Sequence, residues 1–559
     1  MNKPARFAVP AALYLILAAL VIVPLVMIAA ASVMSAPPFS GTPFHWTLDN
    51  YRQLWSAEIG YAALDTLIVS VGGTVIALTI GAALAWLAAR TDIPGRPLVY
   101  LAGITPLFIS VLVASTAWSA LASGRTGYFN LLLTSIGIPW HVNVESLTGI
   151  ALLFGLYYAP YPFIFMYGAL SLIHPDMEEA AAIAGAPIVT ILRRITFPLV
   201  KPALLGSMLL VFALMIEDFP MPQILGGPAG IETLSVAVYN LMTRVPTQQN
   251  AAGALSVLLM ALICSFVLLQ RRLLAGTDYR TVTGKGMQYR QTPLGVLRWP
   301  ALALVLGYAL LAIGAPTFAL LEGAFRTNVY IPNVAALFAP AGISTAPIVA
   351  ALTDPDVLAG VVNSVVAGAG AAIAGSILFF ILAYVVHRTN LPGRKQLEYL
   401  AMLPLAVPAL VLGIGILWTW VAAPIPVYGT LTILSIAYLT RFFPQGYRAV
   451  ASSISQIHED LENAARVAGA SRLQTIRRIT LPLVRGGVVS SAFIMLVLSI
   501  RELTASLFLY TTTTRTLAIV IYEKYITGSW AAVASISLIF TASLALITLA
   551  GRRWLQARI

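Results

Sequence analysis

One polar, alanine-rich stretch occurs twice in this chain and constrains it more than any other feature. Residues 176–186 read Asp-Met-Glu-Glu-Ala-Ala-Ala-Ile-Ala-Gly-Ala, and residues 460–470 read Asp-Leu-Glu-Asn-Ala-Ala-Arg-Val-Ala-Gly-Ala. Each leads to Arg-Arg-Ile-Thr, an apolar residue and a proline, at 193–198 and 477–482. Gly185 precedes Pro198 by 13 positions, as Gly469 precedes Pro482. The copies are 284 residues apart in a chain of 559, so the chain reads as two copies of one module.

The stretch predicts a short helix. Asp176 is the expected N-cap, with Glu179 closing a capping box. Ala180, Ala181, Ala182 and Ala184 favour helix and leave a nearly bare surface. Gly185 supplies either a helix stop or a point of close approach. Such a helix suits docking into a groove on a partner; the alternative is a capped connector between spans.

The surroundings are membranous. The chain is 59% hydrophobic and 10% charged, against about a quarter charged in soluble domains. The expected fold is therefore an all-α polytopic membrane protein. Runs long enough to span a bilayer fall at 9–32, 61–89, 98–121, 146–171, 202–219 and 250–270. They recur at 299–321, 359–386, 397–421, 427–443, 486–504 and 529–550. The first run is too long for a signal-peptide core and is read as a retained span. With the N-terminus placed in the cytoplasm, 26 of 33 Lys and Arg fall on inner segments, which fixes the orientation and puts both alanine-rich stretches inside. The net charge of +12 follows from this asymmetry and not from a nucleic-acid surface. Twelve spans make two parallel six-helix repeats: a first domain at 1–270, a basic cytoplasmic linker at 271–298 and a second domain at 299–559.

Other segments pair too. Arg90-Thr91-Asp92-Ile93-Pro94-Gly95-Arg96 matches Arg388-Thr389-Asn390-Leu391-Pro392-Gly393-Arg394, and Pro106 matches Pro404, at an offset of 298. The first half thus carries about 14 extra residues near 122–145.

Glu179-Ala180-Ala181, three residues, Gly185 and a proline 13 further on resemble the EAA loop of ABC importer permeases. The chain resembles two such permeases fused, with the type I importer fold. The resemblance implies that each loop is a coupling helix seated in a cleft of an ATPase subunit. It assigns that role to Glu178, Glu179, Ala180, Ala181, Gly185, Ala186 and Pro198. In the second copy it assigns it to Glu462, Asn463, Ala464, Ala465, Gly469, Ala470 and Pro482. Asn463 replaces the motif glutamate, so a charged contact with the ATPase is lost there or passes to Glu462. The resemblance also implies two ATPase subunits carrying ATP and magnesium, and one periplasmic or lipid-anchored binding protein. Thr233 to Tyr239 and Thr516 to Tyr522 resemble permeases of the ferric-iron branch; phosphonate, thiamine and polyamine branches share parts of this. The bland alternative is an interfacial helix with tyrosine at headgroup depth.

No catalytic constellation is present in the sequence. The five histidines are scattered, and the sole cysteine, Cys264, lies in an apolar run, which excludes an intramolecular disulfide and a cysteine metal site. Gly284-Lys285 lacks the rest of a P-loop. The chain is thus expected to bind no cofactor and to be no enzyme, with ATP hydrolysed on another polypeptide. Intramembrane charges are functional candidates. Glu217 and Asp218 end the fifth span, and Arg501 and Glu502 hold the matching places. They mark a candidate translocation path, with Asp218 and Glu502 suited to a cation, or else a Glu217–Arg501 pair between halves. The competing fold is a major-facilitator-type secondary transporter, favoured only by the Asp92 to Arg96 loop; a membrane-embedded enzyme has no candidate site. Asymmetric docking follows from Asn463: Glu179→Ala should lower ATP-driven transport more than Asn463→Ala, measured at equal membrane abundance.

Overall fold

The computed structural model describes residues 3–124, 126–173, 175–274, 292–327, 331–340 and 342–558. Among them the protein is helical, with three isolated β-bridges. Each half is built around one 34-residue helix, Ala57–Arg90 or Pro355–Arg388. The two start alike. Ser56 accepts the Ile59 amide, and Asp354 accepts the Asp356 amide, at positions 298 apart. At 1.5 Å per residue each is about 50 Å long, enough to reach both ends of the molecule.

Around Ala57–Arg90 pack Leu147–Tyr158, Pro160–Leu172 and Phe197–Glu217; around Pro355–Arg388 pack their counterparts Leu431–Arg441, Phe443–Ser455 and Leu481–Ile500. Small residues permit the approach. A Cβ at Gly155 would run into Ile76, and one at Gly81 would lie 2.5 Å from the Ala159 carbonyl. Close backbone packing of this kind is how helices associate where no water drives them together.

The first span of each half crosses to the other half. Val23–Ser32 packs on Ala409–Ala422, and Tyr14 donates to the Gly393 carbonyl at 2.7 Å. Reciprocally, Ala315–Ala324 packs on Val111–Ala122, and Tyr308 donates to the Leu156 carbonyl at 3.1 Å. Most of the linker expected at 271–298 lies outside the described residues. Its end is held by the first half: Thr292 donates to the Arg90 carbonyl (2.8 Å) and Leu294 to Asp92 Oδ1 (2.7 Å).

Twelve straight spans were expected, and the chain differs at the third and fourth of each half. Among the described residues eight helices are long and apolar enough to cross a membrane, or up to eleven when bent pairs count as one span. The runs 98–121 and 397–421 are helix pairs bent by 99° and 114°. The bend follows a 3₁₀ turn opened by Thr105-Pro106 or Leu403-Pro404, after which Ile109 or Val407 is extended. Proline removes an amide and restricts the residue before it, so the α-helix cannot continue. The run 146–171 bends by 40° at Ala159. Its partner, expected at 427–443, stops at Arg441 and resumes as Phe443–Ser455, a helix polar enough to escape a hydropathy reading. The 14 extra residues carry the short helix Tyr128–Ser135.

Gly155→Leu should destabilise the purified protein by about 1–3 kcal/mol through overpacking. Gly168→Leu, at an exposed position with nothing within 4 Å, should leave the melting temperature in detergent unchanged.

Candidate coupling site and the interface between the halves

Both alanine-rich stretches are short helices, Pro175–Ile183 and Glu459–Val467. The first starts two residues earlier than an Asp176 N-cap would place it, and the second starts at the matching position, so Asp176 and Asp460 lie inside the first turn. In the second copy His458 is the N-cap, through Nδ1 to the Asp460 amide; in the first, the side chains of Asp176 and Glu179 lie outside the described residues. Both helices stop on a left-handed glycine, Gly185 (φ 81°) or Gly469 (φ 84°). The following amide returns to the helix: Ala186 N–H donates to the Ala181 carbonyl and Ala470 N–H to that of Ala465, each at 3.0 Å. This is a Schellman stop. A Cβ on either glycine would meet nothing within 4 Å, so the glycine is required for its backbone angle and not for close approach inside this chain. A one-turn helix and a π-turn follow, and Pro198 or Pro482 then sits in the first turn of the fifth span, where proline is tolerated.

The two faces of each helix differ. Inward, Glu178 accepts from Thr196 Oγ1 at 2.7 Å and lies 3.5 Å from Arg90 Nη1. Glu462 accepts from Thr480 Oγ1 at 2.8 Å and lies 3.8 Å from Arg388 Nε. Arg90 also donates to the Ile173 carbonyl (3.1 Å), and Arg388 to those of Ile457 and Ile454. Each arginine ends a long helix, and thus ties it to the helix before the loop and to the loop itself. Outward, Ile183 is 83% exposed and Val467 89%, with Met177 and Leu461 half exposed beside them. Ala180, Asn463 and Ala464 are exposed as well, and Asn463 accepts from Arg466 at 2.5 Å.

The remaining charges gather where the halves meet, but not in the pairing considered above. Glu217 pairs with Arg441 across the interface at 2.5 Å, while Arg501 donates to the Leu107 carbonyl of the opposite half at 2.6 Å. Arg441 is therefore not on an inner loop. It ends Leu431–Arg441, at the break of its span. Asp218 accepts from Tyr158 (2.7 Å) and from the Met221 amide (3.1 Å). Glu502 accepts the Ala505 amide at 2.9 Å. Both acids thus cap the turn that follows their span.

The paired Thr-Leu segments form helices Leu234–Thr243 and Leu517–Ile526. Leu234 N–H donates to Thr66 and Leu517 N–H to Ser364, each at 2.8 Å. Thr66 and Arg90 are 24 residues apart on one helix, or about 36 Å, so these segments lie at the end opposite the coupling helices. Their tyrosines do not point outward as interfacial anchors would. Tyr239 and Tyr522 turn inward to Phe219, with ring centroids at 4.9 and 6.0 Å, and Tyr239 meets Phe508 at 5.8 Å.

The family model described as the binding-protein-dependent transport system inner membrane component matches residues 73–278 and again 380–559. The chain belongs to this family. FbpB 1 of Haemophilus influenzae is 28% identical over 456 residues, 80% of this chain and 69% of that one. The ferric transport system permease protein FbpB of Actinobacillus pleuropneumoniae is 28% identical over 489 residues, covering 86% and 68%. The Fe(3+)-transport system permease protein FbpB 2 of Haemophilus influenzae is 25% identical over 475 residues, covering 84% and 85%. The chain is accordingly a fused, multi-pass inner-membrane permease of an ABC importer, and the secondary-transporter reading falls away.

Three groups of residues in this permease escaped the sequence reading. Arg90 and Arg388 were counted only as inner-loop charges, and Thr196 and Thr480 only as part of the run to proline. Ile183 and Val467 are apolar residues at matched positions. In each case the signal was identity or likeness in both copies. Glu462 is 5% exposed and Arg388 is equally covered, so removing the carboxylate leaves a buried cation, a change on the order of 3 kcal/mol. Glu462→Ala should therefore lower the melting temperature in detergent more than Glu178→Ala, whose side chain is 21% exposed; equal shifts would count against the latch.

Proposed function

We propose that this permease imports ferric iron, driven by two ABC ATPase subunits that bind ATP and magnesium and fed by a substrate-binding protein. Its termini lie in the cytoplasm, and the coupling helices face the ATPase. The observation that carries the ATPase contact is the two-faced helix present twice: held inward by Glu178 or Glu462, and apolar outward at Ile183 or Val467. An apolar pair fully open to water is an unfilled contact. Glu179 adds charge to the first contact; Glu462, turned inward, adds none to the second. Closure of the ATPase dimer would then displace the two helices as rigid bodies, and each half with them.

Ferric iron is the passenger named for three relatives that span 80–86% of this chain; a fourth, at 82%, is named only as a permease. Glu217, Asp218, Glu502, Arg441 and Arg501 line the closed path between halves in this reading, and the acids outnumber the arginines. The test is uptake of radioactive ferric iron into proteoliposomes holding the permease, its ATPase and the binding protein encoded beside it. Uptake should need all three components and ATP, and Ile183→Asp with Val467→Asp should abolish it without loss of permease from the membrane. Uptake on an ion gradient without the ATPase would sink the role. A binding protein that takes phosphonate, thiamine or polyamine in place of iron would sink the substrate alone.

A further inference from the structure

The two halves differ sharply at one place near the coupling end. In the first half Tyr100, Phe163 and Tyr167 fill the angle between helices Arg96–Ile104 and Pro160–Leu172, their rings 5.1–5.7 Å apart. Their counterparts by the repeat are Glu398, Tyr447 and Ala451. Alanine in place of tyrosine empties the angle, and a recess of about 690 Å³ opens there. It is lined by His387, Lys395, Glu398, Tyr399, Tyr447 and Arg448, among others.

The charges are as one-sided as the shape. Lys395, Arg448 and His387 stand where the first half has Pro97, Ile164 and Ala89. Glu398 faces the Tyr447 hydroxyl and the His387 ring. His387 Nε2 is buried without a hydrogen-bond partner. Among the described residues no carboxylate forms an ion pair with Lys395 or Arg448. The recess thus sets two cations, Lys395 and Arg448, against one carboxylate, Glu398, and leaves an excess of positive charge.

What it faces can be read from the other half. Ile164, the counterpart of Arg448, is 46% exposed, and Leu98 and Leu101 beside it are 56% and 49% exposed. That surface of a membrane permease meets lipid. Along the long helix from His387, the exposed residues are Ile381, Ile377 and Ile373, a run of about 20 Å, comparable to an acyl chain. We propose that the recess binds the phosphate of an anionic phospholipid of the coupling-side leaflet, with Lys395 and Arg448 on the headgroup and Tyr399 at its rim. Basic pockets between spans on that side recognise such headgroups. The inference rests on the membrane placement and is independent of the substrate.

The test uses the delipidated permease–ATPase complex in mild detergent, titrated with phosphatidylglycerol and read by native mass spectrometry. Lys395→Ala and Arg448→Ile should each weaken binding about fivefold, since a basic residue near an anionic surface contributes about that factor. Ala451→Tyr leaves every charge in place but refills the angle as in the first half, and should abolish the tight site. Phosphatidylcholine should bind all variants alike. The proposal is overturned if the three variants hold phosphatidylglycerol as the parent does. It is overturned equally if Ala451→Tyr retains the site while the charge variants lose it, which would mark a diffuse surface effect. Displacement of the lipid by millimolar inorganic phosphate would assign the recess to a free anion instead.

Discussion

The arginine at the end of each long helix holds the working parts of this permease in register. Arg90 and Arg388 are buried, and each contacts two things that would otherwise be independent: the last carbonyls of the preceding span and the carboxylate of the coupling helix. The carboxylate in turn takes a hydroxyl from the threonine two residues before the proline of the fifth span. A short solvent-facing helix has little stability of its own. Fastened at these points, it cannot slide or roll without carrying the long helix and the fifth span with it. Because the long helix runs the full height of its half, a push at one end is delivered about 50 Å away. A buried guanidinium suits this task, since its fixed fork serves carbonyl and carboxylate at once.

The two copies of this arrangement have drifted unequally. Glu462 is more deeply covered than Glu178, and Arg388 also approaches Glu459 at 3.6 Å. In the sequence of the second copy Asn463 stands in place of a glutamate. The inward carboxylate is kept in both copies, as Glu178 and Glu462, and only the neighbouring acid is lost in the second. The linker reinforces the inequality. It adds Thr292 and Leu294 to the loop after Arg90, whereas the matching loop after Arg388 instead receives Tyr14 from the first span.

Much of this was legible in the sequence because the chain repeats. Two copies separate signal from drift: the glycine-to-proline spacing, the Arg-Thr-Asx loop and the cytoplasmic positive charge each stand twice. What escaped did so for physical reasons. Hydropathy reports composition over a window and is blind to direction, so 98–121 and 397–421 read as straight spans although Pro106 and Pro404 fold them nearly at right angles. The helix Phe443–Ser455 buries one largely apolar face and carries exposed polar residues at Gln445, Arg448, Ser452 and Ser455, which a window scores as loop. Sequence alone did not tell that Glu178 turns inward; Thr196, 18 residues on, shows it by donating its hydroxyl to that carboxylate.

The pseudo-twofold also explains the odd pairing at the centre. Glu217 and Arg501 are equivalent positions, and each reaches the bend of the opposite half: Glu217 toward Arg441 and the Ala409 amide, Arg501 toward the Leu107 carbonyl. A bend exposes both unpaired amides and unpaired carbonyls. An acid can serve the amide side and a base the carbonyl side, so opposite charges at one repeat position are both accommodated. The charge reversal is then compensated locally by Arg441, which replaces Tyr157 of the first half. Tyr157 needs no carboxylate, since it accepts from Trp118 at 3.1 Å. At this repeat position the ion pair between halves, Glu217 with Arg441, therefore has no charged twin among the described residues, and a motion that parts the halves here breaks it on one side of the axis only. The Arg501 contact, which has a neutral carbonyl as acceptor, is the weaker of the two.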